Sequence, residues 1–238
     1  MIRPLIGMEL KGMRIYKTFL LVNLLIMPLA LLFMMIMNSG SRTPEDISYL
    51  VSGFIVVSLV SSFLGTLTNR VSNIFEPSVL ELYSTLPPKI STVILAQFLT
   101  YSLMVTPQVL IGLTVILYYQ GVSRINVPLL VLALLLTFLE LGALAVAIGA
   151  KIGNPYKAMA VTGILPWLLV VFSPAYYRSS FPALYLNPVT HLLSCIRSAI
   201  GLQSINPISW LVSGALTVIF VVLALRNIRS GYMLEKPF

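Results

Sequence analysis

"FEPSVLELYSTLPPK", Phe75 to Lys89, stands between two apolar runs, each long enough to cross a bilayer. It holds two carboxylates and three prolines. It is too polar to enter lipid and too short to form a domain. It therefore reads as a surface connection, with spans on either side. A span needs roughly 20 mostly apolar residues. Further runs of that kind follow outward in both directions, at about 18–38, 48–69, 91–119, 126–150, 157–174 and 206–227. Lipid offers no water to backbone amides, so helices are the default spanning element. A β-barrel would read as alternating segments of about 10 residues, and none is present. The expected fold class is an all-α polytopic membrane protein with six transmembrane helices, one transmembrane domain over 1–238.

Composition agrees. Hydrophobic residues make up 58% and charged residues only 9%, against about 25% charged in soluble domains. The net charge of +8 comes from 15 basic and 7 acidic residues. The basic residues gather at the ends of apolar runs, which points to membrane orientation and not to nucleic acid. No basic patch with stacking aromatics is present. One cysteine, Cys195, excludes an intramolecular disulfide. No cleavable signal peptide is expected, because the amphipathic first 17 residues lead into a run long enough to span.

With the N-terminus in the cytoplasm, eleven basic residues face inward and four, Arg42, Arg124, Arg178 and Arg197, face outward. This asymmetry fits the positive-inside rule. Six spans then return the C-terminus to the cytoplasm, in a cell membrane protein.

Phe75–Lys89 falls on the inner side in this reading. As a helix, Phe75, Val79, Leu82, Tyr83 and Leu86 share one side, and Glu81 lies on the other. Pro77 suits the first turn. Glu76 there favours the positive end of the helix dipole, and Pro87-Pro88 ends the helix. A helix of about ten residues is marginal alone. It must pack on the chain's own span ends or in a partner's groove.

The N-terminal "MIRPLIGMELKGMRIYK" is amphipathic, with Arg3, Lys11, Arg14 and Lys17 for anionic headgroups and Glu9 interrupting its apolar side. The loop "KIGNPYK" brings Lys151, Asn154, Tyr156 and Lys157 to the same inner side. Between spans five and six, residues 173–205 hold short apolar pieces that cannot span. Ala175–Leu186 is too broken for a regular helix, whereas Val189–Leu202 reads as a helix opened by Asn187 and Pro188. Tyr176, Tyr177, Phe181, Asn187, Pro188 and Arg197 make this a candidate outer gate; its tyrosines suit headgroup depth. The alternative is a plain extracellular loop.

Glu140 lies near the middle of span four. An ionisable residue at that depth is a functional candidate; the bland alternative is a carboxyl hydrogen-bonded to a neighbouring helix. The small residues after it, Gly142 to Ala150, allow close helix packing. No phosphate-loop motif appears, so the chain is not expected to hydrolyse ATP. His191 and Cys195 cannot build a metal cluster, and His191 reads as structural.

The order of these pieces resembles the membrane subunits of ABC-2 type transporters, bacterial and archaeal ABC exporters. The resemblance rests on three pieces: the amphipathic N-terminus; Glu76-Pro77-Ser78-Val79-Leu80-Glu81-Leu82 followed by Ser84-Thr85-Leu86-Pro87; and Leu186-Asn187-Pro188-Val189-Thr190 with Ile196-Arg197. Ser78-Val79 stands where the family has Gly-Thr. The resemblance implies a cytoplasmic coupling helix within 70–90, with Phe75, Glu76, Val79, Glu81, Leu82, Tyr83 and Leu86 against an ATPase subunit. It also implies an interface helix over 1–17 and an outer re-entrant helical hairpin over 173–205. Two ATPase subunits would carry ATP and Mg, and a second permease copy or a related one would complete the path. The implied function is export of an amphipathic or hydrophobic substrate: a lipid, a lipid-linked glycan or a drug-like molecule. The alternative is a non-transporting membrane scaffold or assembly factor; a lipid-modifying enzyme is disfavoured by the lack of a catalytic cluster.

Overall fold

A computed structural model of the chain describes residues 2–13, 26, 29–30, 33, 37, 43–85, 88–121, 124–179 and 181–233. These residues are helical, without strands. The helices are α1 (Ile2–Met13), α2 (Pro44–Ile74), α3 (Pro77–Ser84), α4 (Ile90–Gln120), α5 (Val127–Ile152), α6 (Pro155–Val171), α7 (Pro188–Ala199) and α8 (Pro207–Met233). A 3₁₀ turn covers Pro182–Leu186.

Most starts share one chemistry. An Asn or Thr oxygen accepts an orphan amide of the first turn, and a proline sits where no amide bond is needed. Thr43 accepts from Asp46 N, Asn126 from Leu129 N, Asn154 from Lys157 N and Asn187 from Val189 N. Each of these caps precedes a proline at the first or second helical position.

Among the described residues, α2, α4, α5 and α8 are long and apolar enough to cross a membrane. The expected span over 18–38 lies largely outside the described residues. The expected span over 157–174 is a 17-residue helix, about 25 Å long at 1.5 Å per residue, which is shorter than a hydrocarbon core of about 30 Å. It ends at Val171 because Phe172 leaves helical geometry and the chain turns.

α2 is the central helix. Phe54, Ile55, Leu59, Phe63, Leu64 and Leu67 are fully buried, and α4, α5, α6 and α7 pack around it. A π-helical stretch, Ser61–Leu67, widens its middle, where Phe63 meets Phe98 of α4 and Phe138 of α5. α5 runs along α8. Its small residues Gly142, Ala145, Ala147, Gly149 and Ala150 are buried, as expected of a close-packing face. At Gly149 a Cβ would stand 2.7 Å from the carbonyl of Thr68, so only glycine lets α5 approach α2 there.

The bundle has two ends. One carries α1, α3 and the Gly153 turn between α5 and α6. The other carries the 173–187 segment, α7 and the starts of α2, α5 and α8, where Asn126 N donates to Ala199 O.

Candidate functional site

At the α3 end the sequence-selected residues divide. Phe75 is buried, but it closes α2 and is not part of α3. Glu76 is the N-cap of α3, without a side-chain capping bond, and Pro77 takes the first position. Val79 and Tyr83 are half-buried, while Glu81 and Leu82 are exposed. The inward anchor is Leu80, 3% exposed, and Leu82 is 64% exposed. The expected apolar side is thus corrected: Leu80 packs on the bundle and Leu82 faces away from it. Val79, Leu80 and Tyr83 make the held face, and Leu82, about 160° from Leu80 around the helix at 100° per residue, falls outside it. Leu86, Arg14 and Lys17 lie outside the described residues.

The Gly153 turn comes next to α3. The backbone oxygen of Phe75 stands 3.5 Å from where a Cβ on Gly153 would sit. Beyond it, Tyr156 is 80% exposed, Lys151 and Lys157 are exposed, and Asn154 caps α6. Leu82 and Tyr156 therefore stand free at one end of the bundle.

Beneath α3 lies a cluster that sequence reasoning missed. Glu9, 4% exposed, pairs with Arg70 of α2 at 3.0 Å and accepts from Gln97 Nε2 of α4 at 3.2 Å. Burial, then the Glu9 carboxylate, push the Tyr83 hydroxyl above its ordinary pKa, which puts α3 in reach of the same charge. Glu9 looked like a flaw in an apolar face; it is the residue that fastens α1 to the bundle. Arg3 and Lys11 are exposed on the other side of α1. The missed signal was a lone carboxylate on an apolar side, which needs a cation partner elsewhere.

Within the bundle Glu140 is 1% exposed. The bond that the bland alternative requires is not found: among the described residues neither carboxyl oxygen has a hydrogen-bond partner.

At the α7 end, Arg197 is 3% exposed and lies 3.5 Å over the Tyr49 ring. Its Nε donates to Ser52 Oγ at 3.0 Å, and Nη2 donates to Ala175 O at 3.0 Å and Tyr49 O at 3.4 Å. Burial lowers its pKa to about 10, and the Arg178 charge adds to that fall. Tyr49 itself donates to the carbonyls of Pro174 and Tyr177. At Gly53 a Cβ would collide with the Ala175 oxygen, so the 173–177 segment rests directly on α2. Asn187 holds α6 to α7 by donating to Leu169 O and Phe172 O. Tyr176 is half-buried with its hydroxyl unpartnered, and burial raises its pKa. Tyr177 is exposed and donates to Val171 O. Phe181 points away, and Pro188 opens α7. His191 is wedged between Tyr185 O and Ser209 Oγ.

No family model matches this chain, and no curated protein matches it either.

Proposed function

We propose that the chain is the permease subunit of an ATP-driven ABC-2 type exporter, moving an amphipathic or hydrophobic substrate outward. In this reading, residues 18–38 and α6 complete six spans, α1 lies at the cytoplasmic interface, and α3 is the coupling helix. Both termini are cytoplasmic in a plasma membrane protein, and residues 173–205 form the outer re-entrant hairpin. A second permease pairs with it, and two ATPase subunits bind ATP and Mg. The chain itself is not an enzyme.

The observation that carries the reading is the seating of α3. Leu80 anchors it to the core, while Leu82 faces outward at the end of the bundle where Tyr156 is also exposed. A short rod with one face held and the other free has the form needed to receive force from a partner. Beneath it, Glu9, Arg70 and Gln97 tie α1, α2 and α4 together.

Affinity purification of the tagged chain with its native membrane, followed by an ATP hydrolysis assay, tests this. Leu82→Asp and Glu76→Lys lower recovered ATPase roughly tenfold, the loss of a central interface contact. If both variants keep ATPase recovery and transport, the coupling assignment fails. Retained function in vesicles without any ATPase favours the scaffold instead.

A further inference from the structure

The α7 end carries more positive charge than its packing neutralises. Arg124 pairs with Glu45 at 3.3 Å and Arg178 with Asp46 at 2.7 Å. Arg197 has no carboxylate within pairing distance among the described residues. Its acceptors are a hydroxyl and two carbonyls, all neutral, and its Nη1 bonds to nothing described. The other charged group over the Tyr49 ring is a cation too, Arg178 at 5.3 Å, which is itself held by Asp46. Buried charges are ordinarily paired, and a guanidinium buried without a counter-charge is costly.

Both guanidiniums line one cavity of about 770 Å³, together with Glu45, Tyr49, Ser179 and Gln203. This volume lies within the roughly 300–1,000 Å³ of small-molecule sites. Glu45 is turned to Arg124, and the Gln203 amide nitrogen is spent on Ser194. The donors left for a ligand are on Arg197, Arg178 and Ser179. Arginine forks match tetrahedral oxyanions. The cavity also opens beside the first turns of α2, at the end of an apolar bundle, where lipid phosphates would lie.

We propose that this cavity is an anion site in which Arg197 and Arg178 grip a phosphate group, free or carried on a lipid headgroup. The ligand supplies the counter-charge that Arg197 lacks. The site stands whether or not the chain transports anything, because it rests only on the arginines, the Tyr49 ring and the cavity.

The test is thermal unfolding of the purified full chain in phosphate-free detergent. Inorganic phosphate is titrated against chloride at equal ionic strength. Short-chain phosphatidylglycerol is titrated against diacylglycerol of the same chains. A rise in Tm with phosphatidylglycerol alone identifies a headgroup site, and a rise with both identifies a general phosphate site. Arg178→Gln is exposed and tolerable to folding. It raises the half-saturating concentration roughly tenfold, the loss of a charge-assisted contact. Arg229→Gln, exposed at the opposite end, removes the same net charge and leaves the titration unchanged. The proposal is overturned if neither phosphate ligand exceeds its control, or if Arg229→Gln weakens binding as much as Arg178→Gln.

Discussion

Glu9 and Arg70 are unequal partners. The Arg70 side chain is 40% exposed and that of Glu9 only 3%. Glu9→Gln therefore leaves an arginine that water can reach, at a cost of roughly 1–2 kcal/mol. Arg70→Ala strands a buried carboxylate with only Gln97 beside it, and about 3 kcal/mol is expected. Denaturant unfolding of both variants checks the order, and amide exchange should show α1 loosened in each. Equal and small losses would mean that the ion pair does not hold α1. The sequence exposed the puzzle of Glu9 without its answer, because the partner is 61 residues away. Arg197 was legible as a basic residue ending a helix, but its ties to Ser52, 145 residues away, and to Tyr49 were not. Long-range pairings leave no periodicity to read.

Short elements were the more legible part. Pro77 opens α3, and Asn187 with Pro188 opens α7, by chemistry that acts within a few positions, so both helices could be placed locally. α7 ends at Ala199, three residues before the expected Leu202, where Gly201 takes a positive φ of 75°. The held face of α3 centres nearer Leu80, which the apolar stripe of Val79, Leu82 and Tyr83 leaves out. This gives a sharp contrast within one helix. Leu80→Ala removes a buried anchor and should cost about 2–3 kcal/mol. Leu82→Ala, two positions on, should stay within about 0.5 kcal/mol yet weaken ATPase recovery. Comparable destabilisation by the two would show that α3 is not seated as described. α6 illustrates the opposite limit. Its apolar run reads as a span to 174, its helix stops three residues earlier at Val171, and hydropathy alone does not register that turn.

At the scale of the whole molecule, the account depends on its two ends facing opposite sides of one membrane. The chain offers a convenient probe. Cys195 is its single cysteine, fully buried in α7, and burial pushes its thiol up to about 11. A free thiol ionises near pH 8.5 and reacts as the thiolate. Cys195 should thus stay a protonated, unreactive thiol at pH 8 and alkylate only on unfolding. Rapid labelling of the native chain by maleimide would contradict that burial. The unlabelled background then serves the topology itself. The most direct measurement places one new cysteine at a time, Leu82→Cys at the α3 end and Ser179→Cys at the α7 end, and applies a membrane-impermeant maleimide. Whole cells should label Ser179→Cys alone, and inside-out vesicles Leu82→Cys alone. Labelling of both from the same side, or of Leu82→Cys from outside, would contradict a coupling helix on the ATPase face.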